Sequence, residues 1–413
     1  MSQTGLIGYA EALDVVLSHA PTPTHDQVSI EQLGGRILGE PVMALRDHPS
    51  FTGSAVDGFA ISGTDLDRLR DGAINLRVAG TLGPGESCNG ISVESGRAVQ
   101  VLTGAWLPPG TAAVVMQEQA RLSRSGLTLH GPAGQGDHIR KQAEEFSKGD
   151  LIVSEGVFAH AGVVAAAAMT GKATWRVGAV PRVALLVTGD ELVPPGSEPT
   201  EHTVFDSHTH ALTAALRQLG IEPVHTARCA DTEMATRKAI ESALETATVV
   251  ITTGGVSGGE RDYVRQAFAK RGVREVFAGV RMKPGRPVVF GVTRVAAPKF
   301  VFGLPGNPMA ALIAFDVLVK PFLQRVSGLV NVVPQLTSAT LTSEVRKRPG
   351  ITEFVPVELK TEGDELVAAP LAGRRSHMFG GLANASGLAM LGEMTEVVPI
   401  GGKVPVTSWG VSS

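Results

Sequence analysis

The sequence predicts an α/β and β multidomain protein, in which one α/β sheet domain lies between two β-rich parts. From about residue 178 to residue 327, short apolar runs alternate with amphipathic segments, a pattern typical of parallel strands linked by helices. On both sides of this region, short strand-like pieces are separated by turns that contain glycine or proline. The chain of 413 residues contains 49 glycines and 25 prolines without a collagen-like period, so we expect many turns.

The composition excludes several classes of protein. The 37 Lys and Arg residues balance 40 Asp and Glu residues, which argues against a nucleic-acid binder. Cys88 and Cys229 are far apart in the sequence, which excludes a disulfide framework and a zinc site of thiolates. The first residues lack the features of a secretory signal, and the smoothest apolar run, 161–169, is too short to cross a membrane. We therefore expect a cytoplasmic protein with no direct membrane insertion.

The alternation between residues 178 and 327 predicts a doubly wound sheet with helices on both faces. The strands are predicted in RVALLVTG, PVHTARC, TVVITTGG and KFVFGLPG, and the helices in SHTHALTAALRQLG, MATRKAIESALE, DYVRQAFAKRG and PMAALIAFDVLVKPFLQRV. Sheets of this kind bind ligands beyond the carboxyl ends of their strands. The loops that follow the four strands are therefore the first candidates for a site.

These four loops carry residue types that bind phosphates. Glycines let backbone N–H groups approach an anion, and a helix N-terminus adds a positive dipole. Carboxylates beside such loops indicate a divalent metal that bridges to phosphate. Lys283, in the segment MKPGRP, supplies a positive charge for an oxyanion. The loops are 188–192, the loop at Asp231, 253–262 and 304–308. Together they predict a phosphate-bearing ligand.

Simpler explanations exist for each loop taken singly. A Gly-Gly pair after a strand is often only a tight turn, and an Asp at a helix start is often only a cap. The segment 255–259 also matches the G-x-S-x-G pattern of a serine nucleophile, Ser257. That hydrolase hypothesis is disfavoured because His377 is the only histidine that follows Ser257, and because Asp316 falls within a predicted helix. His208 and His210 do not indicate a metal site, since residues two apart on a helix do not face each other.

Motifs spread along the whole chain resemble one known family. In order they are SAVDGFA, TGA followed by PPG, TGDEL, GGVS followed by DY, KPGRP and LPGNP. This ordered set is similar to that of the molybdopterin molybdenumtransferases, the MoeA family, which includes the E domain of gephyrin. The resemblance implies a MoeA-like elongated homodimer. Each subunit would have a linker and dimerisation domain (1–46 plus 148–177), a β-rich domain (47–147), a molybdopterin-binding three-layer α/β/α domain (178–327) and a C-terminal β-barrel (328–413).

The resemblance also implies an activity. The family takes adenylylated molybdopterin from the adenylylating protein, uses Mg²⁺ or Zn²⁺, inserts molybdate into the dithiolene and releases AMP, in a cleft between the sheet domain and the partner's β-rich domain. The catalytic residues implied are Asp57, Glu191, Asp231, Asp262 and Lys283, of which Glu191, Asp231 and Asp262 would hold the metal. The loops and the resemblance together assign cofactor binding to Thr103, Arg140, Thr188, Gly254, Gly255, Ser257, Gly258, Pro305, Gly306 and Asn307.

The chain departs from the family pattern in the same cleft. An Asp of the family is Glu145 here, a Lys is Gly279, a Ser is Ala310 and an Arg is Ile351. Several of the lost groups are of the kind that holds a tetraoxo dianion, because an arginine offers five N–H donors and a charge. Arg281 and Arg286 are candidates for compensation. The departures leave the survival of molybdenum insertion open.

A second function follows from these departures, because fold does not fix function. The protein would then be a gephyrin-like dimeric scaffold that binds a short peptide of a receptor, cytoskeletal or cell-division protein. By resemblance, the peptide would dock between the C-terminal barrel and the dimer interface. Phe354, Met378 and Phe379 are candidate contacts, although core positions explain them better.

Overall fold

The computed structural model describes residues 5–124, 126–256, 262–372 and 379–409. The chain forms two compact units. Unit 1 comprises Met1–Glu40, Glu155–Ala161 and Thr174–Ser413, and unit 2 comprises Pro41–Ser154 and Gly162–Ala173. Within the described residues, no helix is long and apolar enough to cross a membrane. The predicted boundaries of four domains remain a prediction.

Unit 2 is rich in β-structure, as the turn-rich sequence predicts. Its main sheet has six strands, which in spatial order are Ala113–Met116, Gly58–Ile61, Arg97–Val101, Ile74–Leu82, Gly126–Leu129 and Ala120–Ser123. Two small pairs join Gly53–Ser54 to Ile139–Arg140 and Val42–Met43 to Leu151–Val153. The helical segments are Gly63–Arg70, Gln117–Gln119 and nearly all of Ala161–Met169. Ser62 starts the first helix by accepting a hydrogen bond from the Asp65 N–H.

The N-terminal part of unit 1 contains the predicted amphipathic helix. It spans Tyr9–Ser18 and buries Ala12, Leu13 and Val16, which lie on one face. Short elements surround it: the strands Ile7–Gly8, His25–Ser29 and Thr174–Gly178 and the 3₁₀ helix Ile30–Gln32. The strand Thr174–Gly178 returns from the distant part of the chain and pairs antiparallel with His25–Ser29.

The centre of unit 1 is a six-stranded sheet with helices. Its strands, in spatial order, are His225–Cys229, Val183–Thr188, Val249–Thr253, Phe300–Leu304, Val289–Thr293 and Val273–Ala278. The helical segments are His208–Gln218, Glu233–Thr246, Tyr263–Lys270, Pro308–Ala314, the π-helical turn Phe315–Val319 and Lys320–Val326. Minor strands are Leu192–Val193, Val204–Phe205 and Val280–Lys283. All six residues of Val183–Thr188 are buried, which explains its unbroken apolar sequence.

This sheet is mixed, whereas the alternating pattern predicted parallel strands. The first four strands in the spatial order are parallel. The last two, Val289–Thr293 and Val273–Ala278, are antiparallel to their neighbours. Strands joined without a crossover helix pair antiparallel, and no helix lies between Val273–Ala278 and Phe300–Leu304.

The predicted C-terminal barrel is present and closed. Five strands form the ring, in the order Thr352–Glu362, Glu365–Pro370, Thr337–Leu341, Lys403–Ser408 and Gly387–Leu391, and the last pairs with the first. The other elements are the strands Val345–Arg346 and Val397–Val398 and the helix Gly380–Ala383. The strand Val280–Lys283 pairs in parallel with the start of Thr352–Glu362 and joins the barrel to the sheet domain. Phe354 is buried and its ring contacts that of Tyr9, so its core position is confirmed.

Candidate active site

Three of the predicted loops meet at one edge of the sheet in unit 1. The strands that end at Thr188, Thr253 and Leu304 are adjacent and parallel. The Thr188 hydroxyl donates to the Thr253 carbonyl oxygen at 3.2 Å. The Gly254 N–H donates to the Leu304 carbonyl oxygen at 3.1 Å. The expected convergence of these loops is therefore observed.

Glycine is required where the loops touch. Gly254 has φ +81°, and a Cβ there would lie 2.7 Å from the Thr188 hydroxyl oxygen. Gly255 has φ +62°, and a Cβ there would lie 2.7 Å from a methyl group of Val264. A Cβ on Gly306 would lie only 3.7 Å from the Gly254 Cα, so the two loops are in contact. Gly306 and Asn307 are exposed at the start of the helix Pro308–Ala314, where an anion has access to backbone N–H groups.

His208, the first residue of the helix His208–Gln218, bonds to one of the loops at this edge of the sheet. Its Nε2 lies 3.0 Å from the carbonyl oxygen of Gly306. Burial lowers the pKa of His208, against the opposing effects of the Gly306 bond and of the charges on Asp206 and Glu191. The ring is therefore neutral at pH 7, and its Nε2–H donates to Gly306.

Glu191 lies beside the same loops. A Cβ on Gly189 would be 2.9 Å from the Glu191 Oε2, so the carboxylate folds back over Gly189. Its charge acts on His208. We call Thr188, Glu191, His208, Gly254 and Gly306 the strand-end site. At this site the exposed Gly306 gives a phosphate oxygen access to the backbone, while the Gly254 N–H and the Thr188 hydroxyl donate to carbonyl oxygens.

The buried His208 predicts a pH dependence of stability. Below the ordinary histidine pKa of about 6.5, His208 binds a proton in the unfolded chain, whereas in the native protein its lowered pKa keeps the ring neutral to lower pH. The free energy of unfolding should therefore fall as the pH drops below about 6.5, by at most about 1.4 kcal/mol per pH unit. Denaturant titrations at pH 7.5 and pH 5.5 measure it. His208→Gln should reduce this pH response and the exposed His202→Gln should not, whereas equal responses in both variants would contradict the assignment.

Asp231 joins this edge through a residue that the sequence did not single out. The Asp231 N–H donates to the Asp190 Oδ1 at 2.9 Å. Asp190 follows Gly189 directly, so the loop beyond Cys229 is tied to the loop that carries Glu191. The backbone around Asp231 is thereby positioned next to the strand-end site.

Asp262 has a capping role in the structure. It is buried and precedes the helix Tyr263–Lys270, and its Oδ1 accepts from the Arg265 N–H at 3.4 Å. Asp262 therefore caps this helix, as an Asp at a helix start often does. Ser257 and Gly258, both predicted to bind the cofactor, lie outside the described residues, as does the serine of the hydrolase hypothesis.

The carboxylates do not form a metal centre by themselves. Among the described residues, no three His, Cys, Asp or Glu side chains are grouped closely enough to hold a metal ion. Glu191, Asp231 and Asp262 therefore do not fit Mg²⁺ or Zn²⁺ as a preformed set, and their metal role remains a prediction.

Lys283 is paired with an acid that the sequence analysis did not identify. Its Nζ lies 3.0 Å from the Glu353 Oε1, and the two residues are register partners between Val280–Lys283 and Thr352–Glu362. The Glu353 side chain is 4% exposed and the Lys283 side chain 52%. The Glu353 Oε2 is buried without a hydrogen-bond partner in the described structure. The positive charge predicted to hold an oxyanion is thus partly neutralised.

The neighbouring cations are also engaged. The Lys347 ammonium donates to the carbonyl oxygens of Arg348, Ile351 and Glu393, which uses its three N–H donors, and desolvation lowers its pKa. Arg281 donates to the Leu6 carbonyl oxygen and lies 3.4 Å from the Glu393 carboxylate. Neither cation is poised to replace the arginine missing at Ile351.

The departure at Gly279 has a steric basis. Gly279 has φ +98°, and a Cβ there would lie 2.4 Å from the Leu6 Cδ2. A lysine at this position would be strained by the backbone and would require the Leu6 side chain to move. Ala310 is buried in the helix Pro308–Ala314, within the part that packs on the sheet.

In unit 2, the structure brings Asp57 and Thr103 together. The Asp57 Oδ1 accepts from the Thr103 N–H at 2.7 Å and from the Thr103 hydroxyl at 2.8 Å. These bonds, the backbone one first, lower the pKa of Asp57. Asp57 is therefore ionised at neutral pH and holds the turn that carries Thr103.

Arg140 and Glu145 also lie in unit 2. Arg140 is exposed and pairs with Gly53 across a two-stranded ladder. The Glu145 carboxylate lies 3.4 Å from the His48 Nε2, and the His48 ring stacks on Phe146. The longer acid at position 145 therefore has a local partner within its own unit.

Comparison with known proteins identifies the family. Three family profiles match consecutive parts of the chain: the MoeA N-terminal region (domains I and II) over residues 7–171, a probable molybdopterin-binding domain over 184–325 and the MoeA C-terminal region (domain IV) over 338–409. A molybdopterin molybdenumtransferase of Staphylococcus aureus is 30% identical over 385 residues, which cover 92% of this chain and 90% of that protein. The chain belongs to the molybdopterin molybdenumtransferase family.

Further relatives agree with this assignment. A molybdopterin molybdenumtransferase of Staphylococcus epidermidis is 29% identical, covering 93% of this chain and 91% of that protein. The crystal structure of the molybdopterin biosynthesis MoeA protein from Pyrococcus horikoshii OT3 superposes with a TM-score of 0.82 at 25% identity, over 98% of this chain and all of that one. A second Pyrococcus MoeA structure gives a TM-score of 0.77 at 29% identity, over 98% of this chain and 99% of that one. The predicted family and MoeA-like fold are confirmed, and the protein is a molybdopterin molybdenumtransferase-like protein of molybdenum cofactor biosynthesis.

Proposed function

We propose that the protein inserts molybdate into adenylylated molybdopterin and releases AMP. The observation that carries this proposal is the strand-end site, where the loops at Gly254 and Gly306 are in contact and Glu191 folds over Gly189. Its backbone donors suit the phosphates of such a substrate. Molybdopterin and molybdate as substrates also fit the family to which the chain belongs.

The release of AMP is a hydrolysis. Water attacks one phosphorus of the phosphoanhydride, the bridging oxygen leaves with the bonding electrons, and molybdopterin phosphate and AMP result. Donors aimed at the phosphate oxygens stabilise the charge that develops, which is the usual source of catalysis in such sites. We assign this role to the backbone N–H at the exposed Gly306, and the binding of molybdate to Lys283. Neither Mg²⁺ nor Zn²⁺ enters a step of this proposal.

The proposal extends to the setting of the reaction. We propose a homodimer that works in the cytoplasm and receives its substrate from the molybdopterin-adenylylating protein. Free thiols fit a reducing compartment, and Cys88 and Cys229 are both unpaired cysteines.

Substitutions that remove one negative charge in each unit test the catalytic roles that we propose for Glu191 and Asp57. Glu191→Gln and Asp57→Asn should each slow molybdate-dependent AMP release by about 100-fold, the effect typical of losing one group in general acid–base or electrostatic catalysis. Glu198→Gln and Asp71→Asn, exposed acids in the same two units, should leave the rate unchanged. The measurement is single-turnover release of AMP by purified protein. Rates equal to wild type in both site variants would contradict the assigned roles.

A cleft in unit 1 favours the scaffold function as a second candidate. Its volume is about 800 Å³, and much of its lining is apolar, including Leu219, Ile221, Phe315, Val332 and Trp409. A cleft of this size accommodates several side chains of a short peptide. We propose it as the docking place for a peptide of a cytoskeletal, division or receptor protein. Phe379 lies at a different, smaller pocket, and Met378 lies outside the described residues.

The cleft can be closed without touching the strand-end site. Ala214 is exposed on the helix His208–Gln218 and lines the cleft, so Ala214→Arg fills it with a charged side chain. We expect peptide affinity, measured by fluorescence anisotropy with the C-terminal tail of a division protein, to fall at least tenfold while AMP release is retained. Unchanged peptide affinity would argue against this cleft, and absence of peptide binding by the wild type would remove the scaffold candidate.

A further inference from the structure

Unit 2 carries an exposed tryptophan, Trp106, stacked on the half-buried Phe51. The rings of Phe51 and Trp106 are stacked, with centroids 5.3 Å apart and an angle of 24° between their planes. Trp106 is 46% exposed, whereas Trp175, the other tryptophan outside the C-terminal region, is 1% exposed. Aromatic residues make up only 5% of the sequence, and indoles are normally largely buried. A solvent-facing indole on a supporting ring is a stacking surface.

The backbone places a cation on the same face. Gly53 pairs with Arg140 on one side and with Trp106 on the other, both antiparallel. Residues directly opposite each other in antiparallel pairs project to the same face. Gly53 has no side chain between them, and a Cβ there would lie 3.3 Å from the Phe51 Cε2. Phe51, Trp106 and the exposed Arg140 therefore surround Gly53 on one face.

This face is tied to the Asp57–Thr103 turn. The Ser54 N–H donates to the Ala105 carbonyl oxygen at 2.9 Å, and the Gly104 N–H donates to the Ser54 carbonyl oxygen at 2.8 Å. The segment that ends in Trp106 thus begins with Thr103, which holds the Asp57 carboxylate. Backbone hydrogen bonds thus join the segment of the aromatic pair to the segment that carries the predicted substrate residues of unit 2.

We propose that Phe51, Trp106 and Arg140 form a binding face for a flat heteroaromatic ring that carries a phosphate. The ring stacks on Trp106, which Phe51 supports, and the phosphate meets the guanidinium of Arg140. The inference rests on the proposed function, because adenylylated molybdopterin contains two such groups, an adenine nucleotide and a pterin with a phosphate. The shared chemistry is a heteroaromatic phosphate ester.

Binding of separate fragments tests this face without turnover. We would titrate the full-length protein with AMP, adenosine and neopterin monophosphate by calorimetry, and follow tryptophan fluorescence in a Trp409→Phe background, in which the buried Trp175 is the one other emitter beside Trp106. If adenine stacks on Trp106, Trp106→Ala should weaken the binding of AMP and of adenosine at least tenfold. If the pterin stacks there, the same variant should weaken the binding of neopterin monophosphate at least tenfold. Arg140→Gln should weaken the phosphate-bearing ligands and leave adenosine unchanged. Leu122→Ala, an exposed apolar side chain elsewhere in unit 2, is the control.

Each outcome decides something. Saturable quenching by AMP alone would assign the face to adenine, and quenching by neopterin monophosphate alone would assign it to the pterin. Quenching by both ligands would mean that the face accepts either ring. Absence of binding by every fragment, or affinities that Trp106→Ala leaves unchanged, would overturn the proposal. Fragment binding that persists in a protein without molybdate-dependent AMP release would refute the proposed function and leave this inference standing.

Discussion

Replacing Glu353 with glutamine is expected to strengthen molybdate binding about tenfold. The Glu353 carboxylate lies 3.0 Å from the Lys283 ammonium and cancels much of its charge. Glutamine keeps an acceptor of the same shape for the lysine but removes the negative charge. A tenfold gain corresponds to about 1.4 kcal/mol, a modest part of the interaction between two charges at this distance. Isothermal titration with molybdate, and with tungstate as a second tetraoxo dianion, measures the effect.

Lys283→Ala provides the opposite result. We expect molybdate binding to become undetectable, because the variant lacks the cation assigned to the oxyanion. The same change leaves the buried Glu353 carboxylate without its partner, which should cost about 1–3 kcal/mol of stability. The double variant Lys283→Ala/Glu353→Gln should recover that stability without recovering molybdate binding, which separates the two roles of the lysine.

Glu358→Gln is the matched control for the glutamate variant. Glu358 lies on the same strand and pairs with Lys360 at 3.1 Å, but both side chains are exposed. Molybdate affinity should not change. Weaker binding by Glu353→Gln would contradict this account and would mean that the carboxylate orients Lys283 toward its ligand.

Gly254→Ala is expected to lower substrate affinity by at least 100-fold. The new Cβ would lie 2.7 Å from the Thr188 hydroxyl oxygen and 3.1 Å from the Thr188 carbonyl oxygen, on a backbone with φ +81°. Alanine in the left-handed region costs about 1–2 kcal/mol before any contact is counted. The loop must therefore move away from Thr188 and from Gly306, which removes the contact that positions the Gly306 backbone at the strand-end site.

The matched control for this variant is Gly272→Ala. Gly272 has φ +74°, and a Cβ there would meet no atom within 4 Å. Both variants carry a similar backbone cost, so thermal unfolding should show comparable losses of about 1–2 kcal/mol from that cost. Only Gly254→Ala should also lose binding of the adenylylated substrate in a titration. Equal affinities in the two variants would show that the Gly254 loop does not hold the substrate.

The positions of the loops at the candidate site were predictable, because local sequence patterns indicate the strands that these loops follow. Each buried apolar run indicates a strand, and parallel strands bring the residues that follow them to one edge. Thr188, Gly254 and Gly306 meet there as expected. The closed C-terminal barrel was likewise indicated by short alternating strands with glycine turns. The contact between Asp57 and Thr103 does not follow from local sequence, which indicates only two separate turns.

The pairings that set the electrostatics were not predictable from local patterns. Glu353 meets Lys283 from 70 residues away, through a parallel pairing that no periodicity reveals. The sequence excludes His208 only as a metal ligand, and nothing in the local pattern indicates its bond to Gly306, which lies 98 residues away. The two antiparallel strands of the sheet domain were also not predicted, because a short apolar run does not indicate whether a strand pairs parallel or antiparallel.

Release of AMP by the purified wild-type protein, with and without molybdate, tests the central claim most directly. Adenylylated molybdopterin at a concentration below that of the protein gives a single turnover, and AMP is quantified by chromatography. The account predicts rapid release that requires both the protein and molybdate and that Lys283→Ala abolishes. Release no faster than in the absence of protein would contradict it.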